Sequence, residues 1–116
     1  MPNYSNLQEK AINFAIQIKD LNHLLKFKKE FVIADQIFRS STSVGANIWE
    51  AKYSESRNDL IHKYAISLKE INETLFWLDL LFKSQVISLE QYQILFEKGE
   101  EILKILITII KKLKGI

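Results

Sequence analysis

The chain has 116 residues, with 16 Lys and Arg against 14 Asp and Glu and a formal net charge of +2. It contains no cysteine, which excludes a disulfide framework and thiolate chemistry and fits a reducing, cytoplasmic compartment. Apolar residues make up 47% and charged residues 26%, ordinary for a single domain spanning 1–116. So small a positive excess permits nucleic-acid contact without arguing for it.

One Pro and three Gly leave few helix breakers, and apolar spacings of three and four residues predict helices along the whole chain. The first helix is expected from near Ser5, where Ser5 and Gln8 have capping-box spacing. Its apolar residues include Leu7, Ile12, Phe14, Ala15, Ile18, Leu21, Leu24 and Leu25, and the basic run KFKKE closes it without a glycine cap. The second helix is predicted over Phe31 to Tyr53, with a core stripe of Ala34, Ile37, Ser41, Val44, Ile48 and Ala51. The third starts at Ser56, with Asp59 placing negative charge in the first turn. Its stripe is Leu60, Tyr64, Leu68, Ile71, Leu75, Leu78 and Phe82. The fourth starts at Ser88, again with capping-box spacing, to Gln91. It is expected to bury Tyr92, Leu95, Gly99, Ile102, Leu103, Leu106, Ile109, Ile110 and Leu113. Its lysine-rich last turn complements the negative end of the helix dipole. Short connections make neighbours antiparallel, so the predicted fold is all-α, an up-down four-helix bundle.

Two helices carry more than a bundle needs. Outside its core stripe the third helix has Ile66, Phe76, Trp77 and Leu80, with His62, Lys69 and Glu73 among them. A helix apolar nearly all round is normally buried on all sides, so a second subunit is expected there. The second helix contains RSSTSVGANIWEA, rich in mediocre helix formers. Arg39, Ser43, Ala46 and Glu50 line one face, with Ser40 and Asn47 between that face and the core. Small residues permit close helix approach, and Arg39 and Glu50 can make charge-assisted hydrogen bonds. The expectation is a polar network at a subunit interface.

Recognisable chemistry is sparse. Neither histidine has a His or Glu on the following turn: His23 is followed by Lys26 and Phe27, His62 by Ala65 and Ile66. No metal site, cofactor or small-molecule substrate is expected. No phosphate loop or nucleophile elbow is present. Arg57-Asn58-x-x-x-His62 resembles the ribonuclease motif of HEPN domains, in which an Arg stabilises phosphate charge and a His acts as general acid or base. It is the alternative, metal-independent nuclease reading. Lys26, Lys28 and Lys29, with Lys111, Lys112 and Lys114, are the candidate RNA or DNA contacts, and an up-down order puts the two clusters at opposite ends. No run is long enough to span a bilayer. The opening MPNYSNLQEK has no signal-peptide pattern. The cationic amphipathic segment ILKILITIIKKLKGI reads as the fourth wall of the bundle rather than a membrane anchor.

QIFRSSTSVGANIWEA and ESRNDLIHKYAISLKEINETLFWLDLL together resemble the bacterial four helix bundle protein family. These are also called 23S rRNA-intervening-sequence proteins, because some members are encoded in insertions within ribosomal RNA genes. The accessory variability protein of diversity-generating retroelements is a more distant relative. The matching residues are Arg39, Ser40, Ser43, Ala46, Asn47, Ile48, Glu50 and Ala51, then His62, Leu68, Lys69, Glu70, Asn72, Glu73 and Trp77. Trp49 and Leu75 depart from the pattern and are expected to make this surface more apolar. The resemblance implies an antiparallel bundle that assembles into a ring, typically a homopentamer, without a known activity. The leading expectation is a non-enzymatic ring that scaffolds a nucleic acid or protein partner.

Overall fold

A computed structural model describes the backbone over residues 4–116 and side chains from Asn6 onward. Four helices follow in chain order: α1 (Tyr4–Phe27), α2 (Phe31–Ala51), α3 (Arg57–Lys83) and α4 (Leu89–Lys114). Each packs on its sequence neighbour, and α1 closes on α4; α2 and α4 do not meet. The result is an antiparallel up-down bundle 44 Å long. Among the described residues no helix is long and apolar enough to cross a membrane.

The helix starts follow the sequence signals. Ser56 accepts the backbone N–H of Asp59 at 3.0 Å. At α4 the capping box is complete: Ser88 Oγ accepts from Gln91 N, and Gln91 Oε1 accepts from Ser88 N. The Ser5 cap is not the start of α1, which already includes Tyr4; the Ser5 side chain lies outside the described residues. Helix α2 ends two residues before the expected Tyr53, and Glu30 precedes it without a side-chain cap.

Three helices end in one way. Behind α1, Lys29 takes a left-handed φ of 64°, while its N–H and that of Glu30 reach back to Lys26 O and Leu25 O. Gln85 behind α3, at φ 65°, and Gly115 behind α4, at φ 76°, repeat the arrangement. This is the Schellman ending, in which two back-reaching amides satisfy carbonyls that the helix leaves open. Only the last uses glycine.

The core runs through all four helices, from Leu7, Phe14, Ile18 and Leu25 across to Ile102, Leu106 and Ile109. Every expected stripe residue of α2 is buried. The buried face of α3 is rotated from the expected stripe: Leu60, Leu68 and Phe82 are half-buried, whereas Ser67, Glu70, Thr74 and Leu81 are buried. The apolar count missed these because three of the four are polar. Leu75 is also core, at 7% exposure, so it adds nothing apolar to the surface; Trp49, half-exposed, does. In α1, Ile12 is exposed while Ala11 and Asn22 are buried, and Asn22 Nδ2 donates to Ala34 O at 2.8 Å, tying α1 to α2. At Gly99, α4 comes close to the side-chain ends of Leu75 and Phe14. A β-carbon there would lie 2.7 Å from Leu75 Cδ2 and 3.4 Å from Phe14 Cζ.

Two stability changes follow. Lys29→Gly and Gln85→Gly each relieve a left-handed side-chain clash and should stabilise by roughly 0.5 kcal/mol after the added chain entropy. Gly99→Val should destabilise by about 1–3 kcal/mol through overpacking. Urea unfolding checks both, and a stabilised Gly99→Val would refute the close approach.

Candidate functional site on the α2–α3 face

The weak helix formers of α2 have a partner in the same chain. Ser40 and Ser41 are fully buried. Ser40 Oγ lies 2.7 Å from Thr74 Oγ1 on α3, and Ser67 Oγ of α3 donates to Val44 O of α2 at 2.9 Å. Thr74 Oγ1 also donates to Glu70 O. Small hydroxyl residues let the two backbones approach while each buried oxygen keeps a hydrogen bond. Lost helix propensity is thus exchanged for a close, polar α2–α3 seam inside one subunit, where a contact between copies had been expected.

Arg39 stands at the edge of this seam. Its Nη1 donates to Glu70 Oε2 at 3.0 Å, and its Nη2 donates to Glu73 Oε2. Glu70 is 9% exposed by side chain, and Glu73 is 29% exposed. Trp77 Nε1–H donates to the same Glu73 oxygen at 3.0 Å. The Glu73 carboxyl is held below its ordinary range, first by this indole bond, then by Arg39; burial opposes both. The Arg39 guanidinium is correspondingly raised, chiefly by its bond to Glu73. Further along, Asn47 Nδ2 donates to Ser43 O at 2.9 Å and Ser43 Oγ at 3.2 Å. Glu50 accepts from Lys63 at 3.1 Å.

The sequence-predicted residues therefore divide. Arg39, Glu73 and Trp77 form one cluster, joined by Glu70, whose role in it the apolar pattern did not reveal. Ser43, Asn47 and Glu50 continue the line. Trp77 is not on a free outer face: it packs against the core, with its ring 5.1 Å from that of Phe76. Ile66 is half-buried, and His62 is exposed. What remains outward on α3 is Phe76, 58% exposed, and Leu80, 37% exposed. Ala46 is exposed on the same face of α2 as Arg39 and Glu50, at the edge nearest α1. With Gly45, Thr42 and Phe38 it lines an apolar groove of about 270 Å³ against Ala11, Ile12, Ala15 and Ile16 of α1.

Arg57 and His62 are not brought together. Five residues apart, they point about 140° apart around the helix axis, and Arg57 Nη1 donates to Leu113 O at 3.2 Å. Among the described residues no group of three His, Cys, Asp or Glu could hold a metal ion. The lysine clusters stand at opposite ends. Lys28 Nζ reaches Val86 O in the α3–α4 turn at 2.7 Å, while Leu113, in the cluster of Lys111, Lys112 and Lys114, meets Arg57 at the start of α3. Lys26 also faces Asp35 at 3.8 Å.

Removing Arg39 leaves the nearly buried Glu70 carboxylate unpaired, so Arg39→Ala should cost about 1–3 kcal/mol in urea unfolding, and more than Glu50→Ala, whose pair is exposed. Glu73 is depressed when folded, so its contribution is complete above its ordinary value of 4.5 and is lost as pH falls through the lower folded value. Trp77→Phe removes the largest cause of that depression. The variant should show a smaller stability loss between pH 5 and 3, on the order of tenths of a kcal/mol; an identical pH slope would exclude the indole's role.

The comparisons agree with this architecture. A solved protein with unknown function from the S23 ribosomal protein family of Bacteroides thetaiotaomicron VPI-5482 is 47% identical, covers 90% of this chain and 98% of its own, and superposes with a TM-score of 0.89. Nothing matches among curated proteins. The family described as 23S rRNA-intervening sequence protein matches residues 5–108. Nine-tenths of the length and both helices of the polar seam fall within that match, and the chain belongs to the 23S rRNA-intervening sequence protein family.

Proposed function

We propose that this protein is a self-assembling module, a ring of copies with five as the number the family resemblance implies, that holds a macromolecular partner rather than transforming a substrate. The observation that supports it is unpartnered apolar surface in two places. The α1–α2 groove is concave and lined by Ile12, Ile16 and small residues. The outer edge of α3 is convex and offers Phe76 and Leu80. Groove and edge belong to different parts of the bundle, so a contact between them is head-to-tail, and a head-to-tail contact that closes makes a ring. The polar seam beside Phe76 would stiffen α3 for that contact.

The partner reading rests on the placement of charge. In a ring of parallel copies, Lys26, Lys28 and Lys29 would repeat around one rim, and Lys111, Lys112 and Lys114 around the other. A cytoplasmic setting suits this role.

Light scattering behind a sizing column tests the assembly. The wild type should have a mass near five subunits. Phe76→Asp should reduce it at unchanged helix content, because Phe76 lies outside the core. Trp77→Asp is the poorer probe, since it also breaks the Glu73 contact. A monomeric wild type, or an unaltered mass for Phe76→Asp, would overturn the proposed contact. Any RNA binding should weaken as salt rises, with log K falling linearly in log salt.

A further inference from the structure

The end of α2 carries an exposed aromatic pair. Trp49 is 51% exposed and Tyr53, one turn on, is 77% exposed. Neither contributes to the core, and neither belongs to the α1–α2 groove or the Phe76 edge. A cation already sits on them: Lys52 Nζ lies 3.8 Å from the Trp49 ring centroid and 5.9 Å from that of Tyr53. Between this turn and the start of α3 lies an open recess of about 330 Å³, lined by Trp49, Glu50, Tyr53, Glu55, Asp59 and Lys63.

The electrostatics of the recess favour positive charge. Three carboxylates meet two lysines: Lys63, committed to Glu50 at 3.1 Å, and Lys52, which lies over the Trp49 ring. Asp59 accepts only the Glu55 backbone N–H, at 3.2 Å, and the Glu55 carboxylate has no ion pair among the described residues. A phosphate would be repelled here, whereas an ammonium or guanidinium gains the ring faces and the carboxylates together.

We propose that the recess docks a lysine or arginine side chain from a basic segment of a partner protein, with Lys52 marking where the cation sits. The site uses neither the α1–α2 groove nor the Phe76 edge proposed for assembly, so it stands or falls separately from that contact.

The test uses Trp77→Phe, which leaves Trp49 as the only tryptophan of two. A nine-residue peptide of alternating Lys and Gly is titrated while indole emission is followed, with a Glu and Gly peptide as control. Saturable binding of the basic peptide alone is expected, weakened about 5-fold or more by Tyr53→Ala and by Glu55→Lys. Trp49→Ala, followed by anisotropy of a labelled peptide, should weaken it similarly at unchanged mass. Absent binding, equal binding of the acidic peptide, or indifference to Trp49→Ala would overturn the proposal. A lower mass for Trp49→Ala would also overturn it, by showing that the recess is covered by another copy. So would tighter peptide binding together with a lower mass for Lys111→Glu/Lys112→Glu/Lys114→Glu, because the occupant would then be the C-terminal turn of a second copy.

Discussion

Close approach of α2 to α3 is the constraint on which the rest of the molecule depends. It is set by residues too small to hold two helices apart and polar enough to need partners: Ser40 against Thr74, and Ser67 against the Val44 carbonyl. Hydroxyls that would compete with the helical backbone in isolation are harmless here, because their second lone pair or proton is used across the seam. The same approach brings Arg39 within reach of α3. At a wider spacing its guanidinium would remain in water, and Glu70 would have no cation to accompany its burial.

The Arg39 cluster is best understood as a positioning device. One guanidinium holds two carboxylates one turn apart on α3, and the second carboxylate holds the Trp77 indole. That chain of bonds fixes the rotation of α3 about its own axis. The rotation decides that Trp77 leans on the core while Phe76 and Leu80 stay outward. A polar contact between two helices therefore selects which apolar side chains remain available to other molecules. Such groups contribute more to geometry than to net stability, because desolvation offsets much of their attraction.

The opposite seam differs. Gly99 lets α4 close on Leu75 and Phe14 at one level, and α1 and α4 are joined at the surface by Lys10 and Glu101. The ends are held by single side chains that reach a neighbouring carbonyl, Lys28 to Val86 and Arg57 to Leu113. The bundle thus has one polar seam, and the exposed Phe76 and Leu80 lie on one of the two helices that form it.

The sequence alone determined four helices, their order, the caps at Ser56 and Ser88, and the core stripe of α2 except Ser40, because these depend on local spacing and on hydrogen bonds a few residues apart. It also singled out Arg39, Glu73 and Trp77 by their placement, and the pattern from Arg39 to Leu81 was specific enough to name the family. Only the tertiary structure decided which partner each polar residue takes. Periodicity marks apolar faces, so a helix side that buries Ser67, Glu70 and Thr74 reads as surface until a second helix supplies the matching hydroxyls and guanidinium. The left-handed Lys29 and Gln85 were hidden because glycine advertises such a helix ending, whereas Lys and Gln carry no such signal.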